Sequence, residues 1–115
     1  MSPEDKQLYL GEFEELVLLA ILRLDDNAYG VSIRQIIESE TGRSTSIGAV
    51  YTTLERLQGK GYIRSRQGEA TPERGGKAKR YYVVDGAGAE ALERAIAVRR
   101  KMMAGIRVDW LPLPT

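Results

Sequence analysis

Ser46-Ile47-Gly48-Ala49-Val50-Tyr51-Thr52-Thr53-Leu54-Glu55-Arg56-Leu57, followed by Gly59-Lys60-Gly61-Tyr62-Ile63, decides how the rest of the chain is read. Ser46 can offer its hydroxyl oxygen to an orphan backbone N–H of a first helical turn. Ile47, Val50, Leu54 and Leu57 then recur at helical spacing as one apolar stripe. Around the rest of the helix stand Thr45, Gly48, Ala49, Thr52 and Arg56, small or polar apart from one long cation. A helix greasy on one side and low in profile on the other suits a DNA major groove, where bulky side chains would hold the backbone away from base edges. Glycines end the helix, and a basic β-type segment comes next. The sequence predicts a recognition helix over about 46–58 in a winged helix-turn-helix.

Working outward, Gly30 to Glu40 carries Val31, Ile33, Ile36 and Ile37 as a second helix, with Gly42 where a left-handed C-cap belongs. Arg43-Ser44-Thr45 is the short link that a helix-turn-helix requires. Before it, Asp25-Asp26-Asn27 is a turn cluster. Phe13, Leu16, Val17, Ala20, Ile21 and Leu24 form one face of an earlier helix, and Leu18, Leu19 and Leu22 make it apolar nearly all round. A chain of 115 residues has little material to cover such a helix, so a partner subunit is expected on Leu18, Leu19 and Leu22. Ser2-Pro3-Glu4-Asp5 resembles a helix start, with Gly11 weakening or interrupting that helix.

Beyond the recognition helix, Tyr62–Arg66 and Arg80–Val84 have strand composition, and 67–79 between them reads as a long loop rich in Gly, Pro, Arg and Lys. Tyr81 and Tyr82 alternate faces, so one belongs to the core. Asp85 can cap a last helix, from about Gly86 to Ala104, whose stripe of Leu92, Ala95, Ile96, Met102, Met103 and Ile106 is interrupted by Arg99. Leu92, Ile96 and Met103 are the expected dimer contacts on it. Residues 1–85 would form the DNA-binding unit, and 86–115 the dimerisation helix and tail.

The net charge of +1 hides an asymmetry. Residues 1–26 hold two cations and seven carboxylates, whereas residues 61–80 hold six cations and two carboxylates. An isolated basic run is usually a solvated loop. Here it coincides with the expected wing, where Lys77, Lys79 and Arg80 suit phosphate contact, while Glu69 and Glu73 argue against contact along the whole loop. Arg56 can reach a base edge or a phosphate, and its residue type does not choose between them. Tyr51 borders the apolar stripe, where packing and contact are compatible. The Met102-Met103 pair reads as interface packing.

With no cysteine and no histidine, thiol nucleophiles, imidazole bases, disulfides and common zinc sites are excluded. The carboxylates show no catalytic arrangement, so an enzyme is not expected, nor is a metal or other cofactor. The longest apolar run, Leu16 to Leu22, is too short for a bilayer, and an acidic start is unlike an export signal. No membrane partner and a cytoplasmic location are the expectations.

These segments together resemble the PadR family of bacterial transcriptional regulators, in its short form. The carrying motifs are Leu16-Val17-Leu18-Leu19-Ala20-Ile21-Leu22, Ala28-Tyr29-Gly30-Val31-Ser32-Ile33, Gly48 to Leu57, Gly59-Lys60-Gly61-Tyr62-Ile63 and Gly75-Gly76-Lys77-Ala78-Lys79-Arg80-Tyr81-Tyr82. The resemblance implies a mainly α fold with a small β-hairpin wing, whose first and last helices pack across a homodimer. It implies that Tyr51 lies near the DNA backbone and that Gly75, Gly76 and Lys77 shape the wing tip. Where the family usually has Leu-Thr before the last helix, this chain has Val84-Asp85, which keeps strand apolarity and cap chemistry. Some small members receive flat aromatic drugs on a tryptophan of the last helix. Here Val98 stands near that place, and Trp110 lies beyond it.

The functional expectation is a homodimeric repressor on an inverted-repeat DNA operator, contacting duplex through Thr45, Ser46, Gly48, Ala49, Tyr51, Thr52, Arg56, Gly76, Lys77, Lys79 and Arg80. The alternative is a ligand-sensing regulator whose main site is a pocket at the dimer centre, with a small-molecule inducer as its partner.

Overall fold

The computed structural model describes residues 9–70 and 78–107. In chain order they form α1 (Glu12–Leu24), a 3-10 turn (Asp25–Asn27), α2 (Gly30–Thr41), α3 (Ile47–Gly59), β1 (Ile63–Ala70), β2 (Ala78–Val84) and α4 (Gly86–Met103). The expected helix start at Ser2 and the Trp110 tail lie outside the described residues. Three helices with an antiparallel hairpin behind the third make a winged-helix fold.

Local chemistry sets each boundary. Gly11 is the N-cap of α1, and its N–H donates to Glu14 Oε1 at 2.7 Å. The acids Glu12, Glu14 and Glu15 of that turn face the positive end of the helix dipole. At the start of α2, the Ser32 hydroxyl accepts from the Tyr29 N–H at 2.9 Å and donates to the Asn27 carbonyl at 2.7 Å. Gly42 ends α2 in the left-handed region, at φ 72°. Ser46 caps α3 by accepting from the Ala49 N–H at 3.0 Å. The chain then leaves α3 through Gly61 at φ 77°, with the Tyr62 N–H donating to the Leu57 carbonyl at 3.0 Å.

The hairpin is longer than its composition implied. β1 runs on to Ala70 and β2 starts at Ala78, so both ends of the expected 67–79 loop are strand. Ile63 pairs with Val84 and Gln67 with Arg80, after which the register slips before Ala70 meets Ala78. Gly68 lies in that slip, where a bulge accommodates a residue without a side chain. A third backbone piece joins β2. Tyr29 bridges to Tyr81, and the Tyr82 N–H donates to the Ala28 carbonyl at 2.9 Å.

The core lies between the helices and the hairpin. Val17, Leu18, Ile33, Val50, Leu54, Leu57 and Ile63 are fully enclosed, with Ile21, Ile37, Tyr82 and Leu92 around them. Each such aliphatic side chain contributes roughly 1.5–3 kcal/mol by leaving water. Two expected dimer contacts are corrected here. Leu18, with no exposed surface, and Leu92, 4% exposed, belong to the protomer's own core, because α2, α3, β2 and α4 all pack around α1. Leu19, Leu22 and Met103 remain exposed, and Ile96 is half-buried.

The last helix is fastened at both ends of its docked length. Asp85 Oδ1 accepts from the Gly86 N–H at 3.1 Å, and the Asp85 N–H donates to the Tyr62 carbonyl at 2.9 Å. At Gly88 a β-carbon would stand 2.2 Å from that same Tyr62 oxygen, so only glycine permits this close approach. Farther along, Arg99 forks onto the buried Glu15 carboxylate, with Nη2 2.7 Å from Oε2 and Nη1 bonded to Oε1. The cation that interrupts the apolar stripe is thus the partner of an acid on α1.

Candidate nucleic-acid interface

Helix α3 turns Val50, Leu54 and Leu57 into the core, together with Thr53, which is 4% exposed. Outward it presents Ser46, Gly48, Ala49, Thr52 and Arg56, all exposed, with Thr45 half-buried at its start. Spacing and capping alone produce this division, since the four buried positions repeat at three or four residues. Tyr51 sits between the two faces and is 49% exposed. Its ring lies over the backbone of Gly30, where a β-carbon would be 2.5 Å from both Cζ and Oη. Packing and accessibility coexist in that side chain.

In the hairpin, Lys79 is half-buried and Arg80 is exposed. Arg80 Nη1 donates to Ser65 Oγ across the strands at 3.0 Å. Gly76 and Lys77, with the whole expected tip, lie outside the described residues. Three residues to which the sequence assigned no contact role also build this region: Tyr29, Tyr81 and Arg66. Tyr29 and Tyr81 meet edge to face, with ring centroids 5.8 Å apart. The Lys79 ammonium stands 4.0 Å from the Tyr29 ring centroid, and the Arg66 guanidinium 4.9 Å from that of Tyr81. The alternation of Tyr81 with Tyr82 is a usable signal in the sequence, and Tyr82 is the core member of the pair. Burial raises the Tyr82 pKa above its ordinary value, against a smaller opposing effect of the Arg80 charge, so it remains a neutral phenol. Nothing local points from Tyr29 to a residue so far along the chain.

Ion pairing divides the cations. Arg23 pairs with Glu40, Arg34 with Glu38, Arg43 with Glu12, Lys60 with Glu14, Arg64 with Asp85 and Arg99 with Glu15. The hydrogen bond from Arg43 holds the Glu12 carboxyl below its ordinary range, and the Glu15 carboxylate raises the Arg99 pKa. Arg56, Arg66, Lys79 and Arg80 have no carboxylate partner among the described residues. These four lie on the outer face of α3 and on the wing, while the remaining described cations without such a partner, Arg94, Arg100, Lys101 and Arg107, lie on and after α4. Uncancelled positive charge beside a low-profile helix face is what a polyanionic duplex binds.

A separate cleft of about 410 Å³ lies between Tyr9-Leu10 and α4, lined by Ala91, Ala95, Val98 and the Glu15–Arg99 pair. Among the described residues no three His, Cys, Asp or Glu side chains gather as a metal-holding group, and no helix is long and apolar enough to cross a membrane.

Among known proteins, the model of the transcriptional regulator PadR-like family matches residues 18–94. No curated protein sequence matches the chain. Among solved structures, a transcriptional regulator from Clostridium thermocellum is similar at a TM-score of 0.67 and 20% identity, over 89% of this chain and 92% of that one. A PadR-like transcription factor from Bacteroides fragilis has a TM-score of 0.67 at 23% identity, over 86% of this chain and 87% of that one. The Aeropyrum pernix ORC1 protein in complex with DNA has a TM-score of 0.61 at 23% identity, over 84% of this chain and 27% of that one.

Proposed function

The chain belongs to the PadR-like family of transcriptional regulators, and on that premise we propose that it is a homodimeric repressor reading an inverted-repeat operator through α3 and the wing. The carrying observation is the segregation of charge. Among the described residues, every cation from α1 to the start of β1 except Arg56 is matched by a carboxylate, while Arg56, Arg66, Lys79 and Arg80 are not; the other unmatched cations, Arg94, Arg100, Lys101 and Arg107, lie apart from them on and after α4. Thr45, Ser46, Gly48, Ala49, Thr52 and Arg56 face the groove in this reading, with Tyr51 at the backbone and Gly76, Lys77, Lys79 and Arg80 along the wing. The structural neighbour solved in complex with DNA supports the use of such a fold on DNA. Cytoplasmic residence goes with this activity.

Dimerisation rests on the apolar surface left on α1 and α4. Leu19 and Leu22 are 39% and 52% exposed on α1, and Met103 is 38% exposed on α4, with Ile96 beside them. A second copy covering these positions would set two α3 helices about 34–36 Å apart, one turn of duplex. Footprinting on the DNA upstream of its own gene tests the reading. Thr52→Ala and Arg56→Ala should alter the footprint while leaving the protein folded. Normal protection by both variants would refute the groove assignment. Leu19→Glu with Leu22→Glu should yield a monomeric mass in sedimentation, and a dimer unaffected by both would place the interface elsewhere.

A second reading, an inducer-responsive regulator, is favoured by the cleft beside α4. Its apolar walls and the Glu15–Arg99 pair suit a small ligand. Ligand titration that shifts DNA affinity would establish it.

A further inference from the structure

We propose that Tyr29 and Tyr81 are positioning residues for DNA binding, forming an aromatic seat that holds Lys79 and Arg66 ready for phosphate without cancelling their charge. This rests on the DNA-binding reading above and assigns a role to residues outside its contact set.

The observations converge on one small region. Tyr29 and Tyr81 pair through their backbones and meet ring edge to ring face. Lys79 from β2 lies 4.0 Å from the Tyr29 centroid, and Arg66 from β1 lies 4.9 Å from the Tyr81 centroid. Both distances are within the reach of a cation–π attraction. The seat is cleared by a glycine, because a β-carbon on Gly68 would stand 2.6 Å from Tyr81 Cε2 and 3.3 Å from the Lys79 carbonyl. Its other side is tied to the reading helix, since Gly30, next to Tyr29, lies beneath the Tyr51 ring.

The physical consequence depends on how a cation can be held. A free lysine or arginine loses much of its rotamer freedom when a phosphate orders it. A carboxylate partner would order it in advance but would neutralise it, and would have to be displaced by the phosphate. An aromatic ring orders the stem and head group through its quadrupole and leaves the full positive charge. The remaining N–H groups can then donate to a phosphate while the ring stays in place.

The test uses the intact protein, a duplex that the wild type selects from a random-sequence pool, and a scrambled duplex of equal length. Tyr29→Leu should weaken binding to both duplexes by roughly three- to tenfold, while Tyr29→Phe, which keeps the ring, stays within about twofold of wild type. Lys79→Gln should cost much less affinity in the Tyr29→Leu background than in wild type, because the ring acts through that amine. In the free protein, ring currents should shift the Lys79 Cε protons upfield, and the shift should vanish in Tyr29→Leu but not in Tyr29→Phe. Gly68→Ala, which displaces the Tyr81 ring from outside the core, should weaken binding in the same way and covers the case of a poorly folded Tyr29→Leu. An unshifted Lys79 in wild type would overturn the proposal. So would wild-type affinity in both Tyr29→Leu and Gly68→Ala, or additive losses with Lys79→Gln. If the wild type selects no duplex, the DNA-binding reading fails as well; if it selects one and the Tyr29 variants bind alike, only the seat fails.

Discussion

The helical body and the wing anchor most of their held cations by different chemistry, with Arg64 of β1, paired with Asp85, as the wing's exception. In the body, Lys60 lies 2.8 Å from Glu14, with side chains only 17% and 7% exposed, and Arg99 forks onto a Glu15 that is equally hidden. These pairs join elements far apart in sequence, 46 residues in one case and 84 in the other. In the wing, Lys79 and Arg66 rest on tyrosine rings and Arg80 on a serine hydroxyl. A carboxylate commits the cation to cohesion, whereas a ring or hydroxyl leaves its charge for a partner. The contrast teaches that position within the fold, more than the number of cations, separates charge committed to cohesion from charge left open.

Removing a body cation should produce the largest loss of stability. Lys60→Met leaves Glu14 buried without its partner and should cost about 2–4 kcal/mol in urea unfolding. A loss below about 1 kcal/mol would place this pair with ordinary surface ion pairs and blunt the comparison.

At the joint between the two regions, Gly88→Ala should cost about 1–3 kcal/mol, because its β-carbon meets the Tyr62 backbone. Gly86, two residues earlier, has open space around it. Gly86→Ala should instead gain about 0.4–1 kcal/mol by restricting the unfolded chain. Equal midpoints for the two variants in thermal unfolding would show that α4 does not need its close seat.

On the wing, Lys79→Ala with Arg80→Ala should cost no more than about 1 kcal/mol in unfolding. The slope of log K against log salt should flatten by roughly 1.8 for each phosphate-binding cation removed from both protomers of a dimer. The ratio between cognate and scrambled duplex should hardly change, because phosphate contacts position a protein without reading bases. An unchanged slope would make the wing cations solvated ornaments, and a selective loss on the cognate duplex would make them base readers.

The smallest effect belongs to Glu12, an exposed member of the body's set. Arg43 holds its pKa below the ordinary 4.5. A carboxylate with a lowered folded pKa contributes stability above its unfolded value and loses that contribution as pH falls through the folded one. Urea midpoints tracked downward from pH 4.5 should therefore fall slightly less steeply in Glu12→Gln than in wild type. Parallel curves would mean that the pair adds nothing in solution.

Elements whose determinants are close in sequence were legible from the residues. Ser46 and Asp85 as caps, Gly42 as a left-handed stop and the 3.6-residue stripe of α3 all act within a turn or two of themselves. The exposed face of α3 was readable for the same reason, since burying Val50, Leu54 and Leu57 leaves Thr52 and Arg56 outside. The extent of the hairpin was less readable. It continues past a register slip at Gly68, where the missing side chain leaves room for Tyr81, and composition does not express that.

The sequence by itself determined the order of helices and hairpin, the sidedness of α3 and the basic character of the wing. Helical periodicity, capping and local charge are short-range properties, and the residues state them directly. Only the tertiary structure decided that Leu18 and Leu92 belong to the protomer's core, that Glu14 and Glu15 hold Lys60 and Arg99, and that Tyr29 meets Tyr81 beneath the wing cations. Those outcomes depend on which distant surfaces come together and exclude water. An apolar or charged residue advertises that it needs a partner, but packing chooses which one.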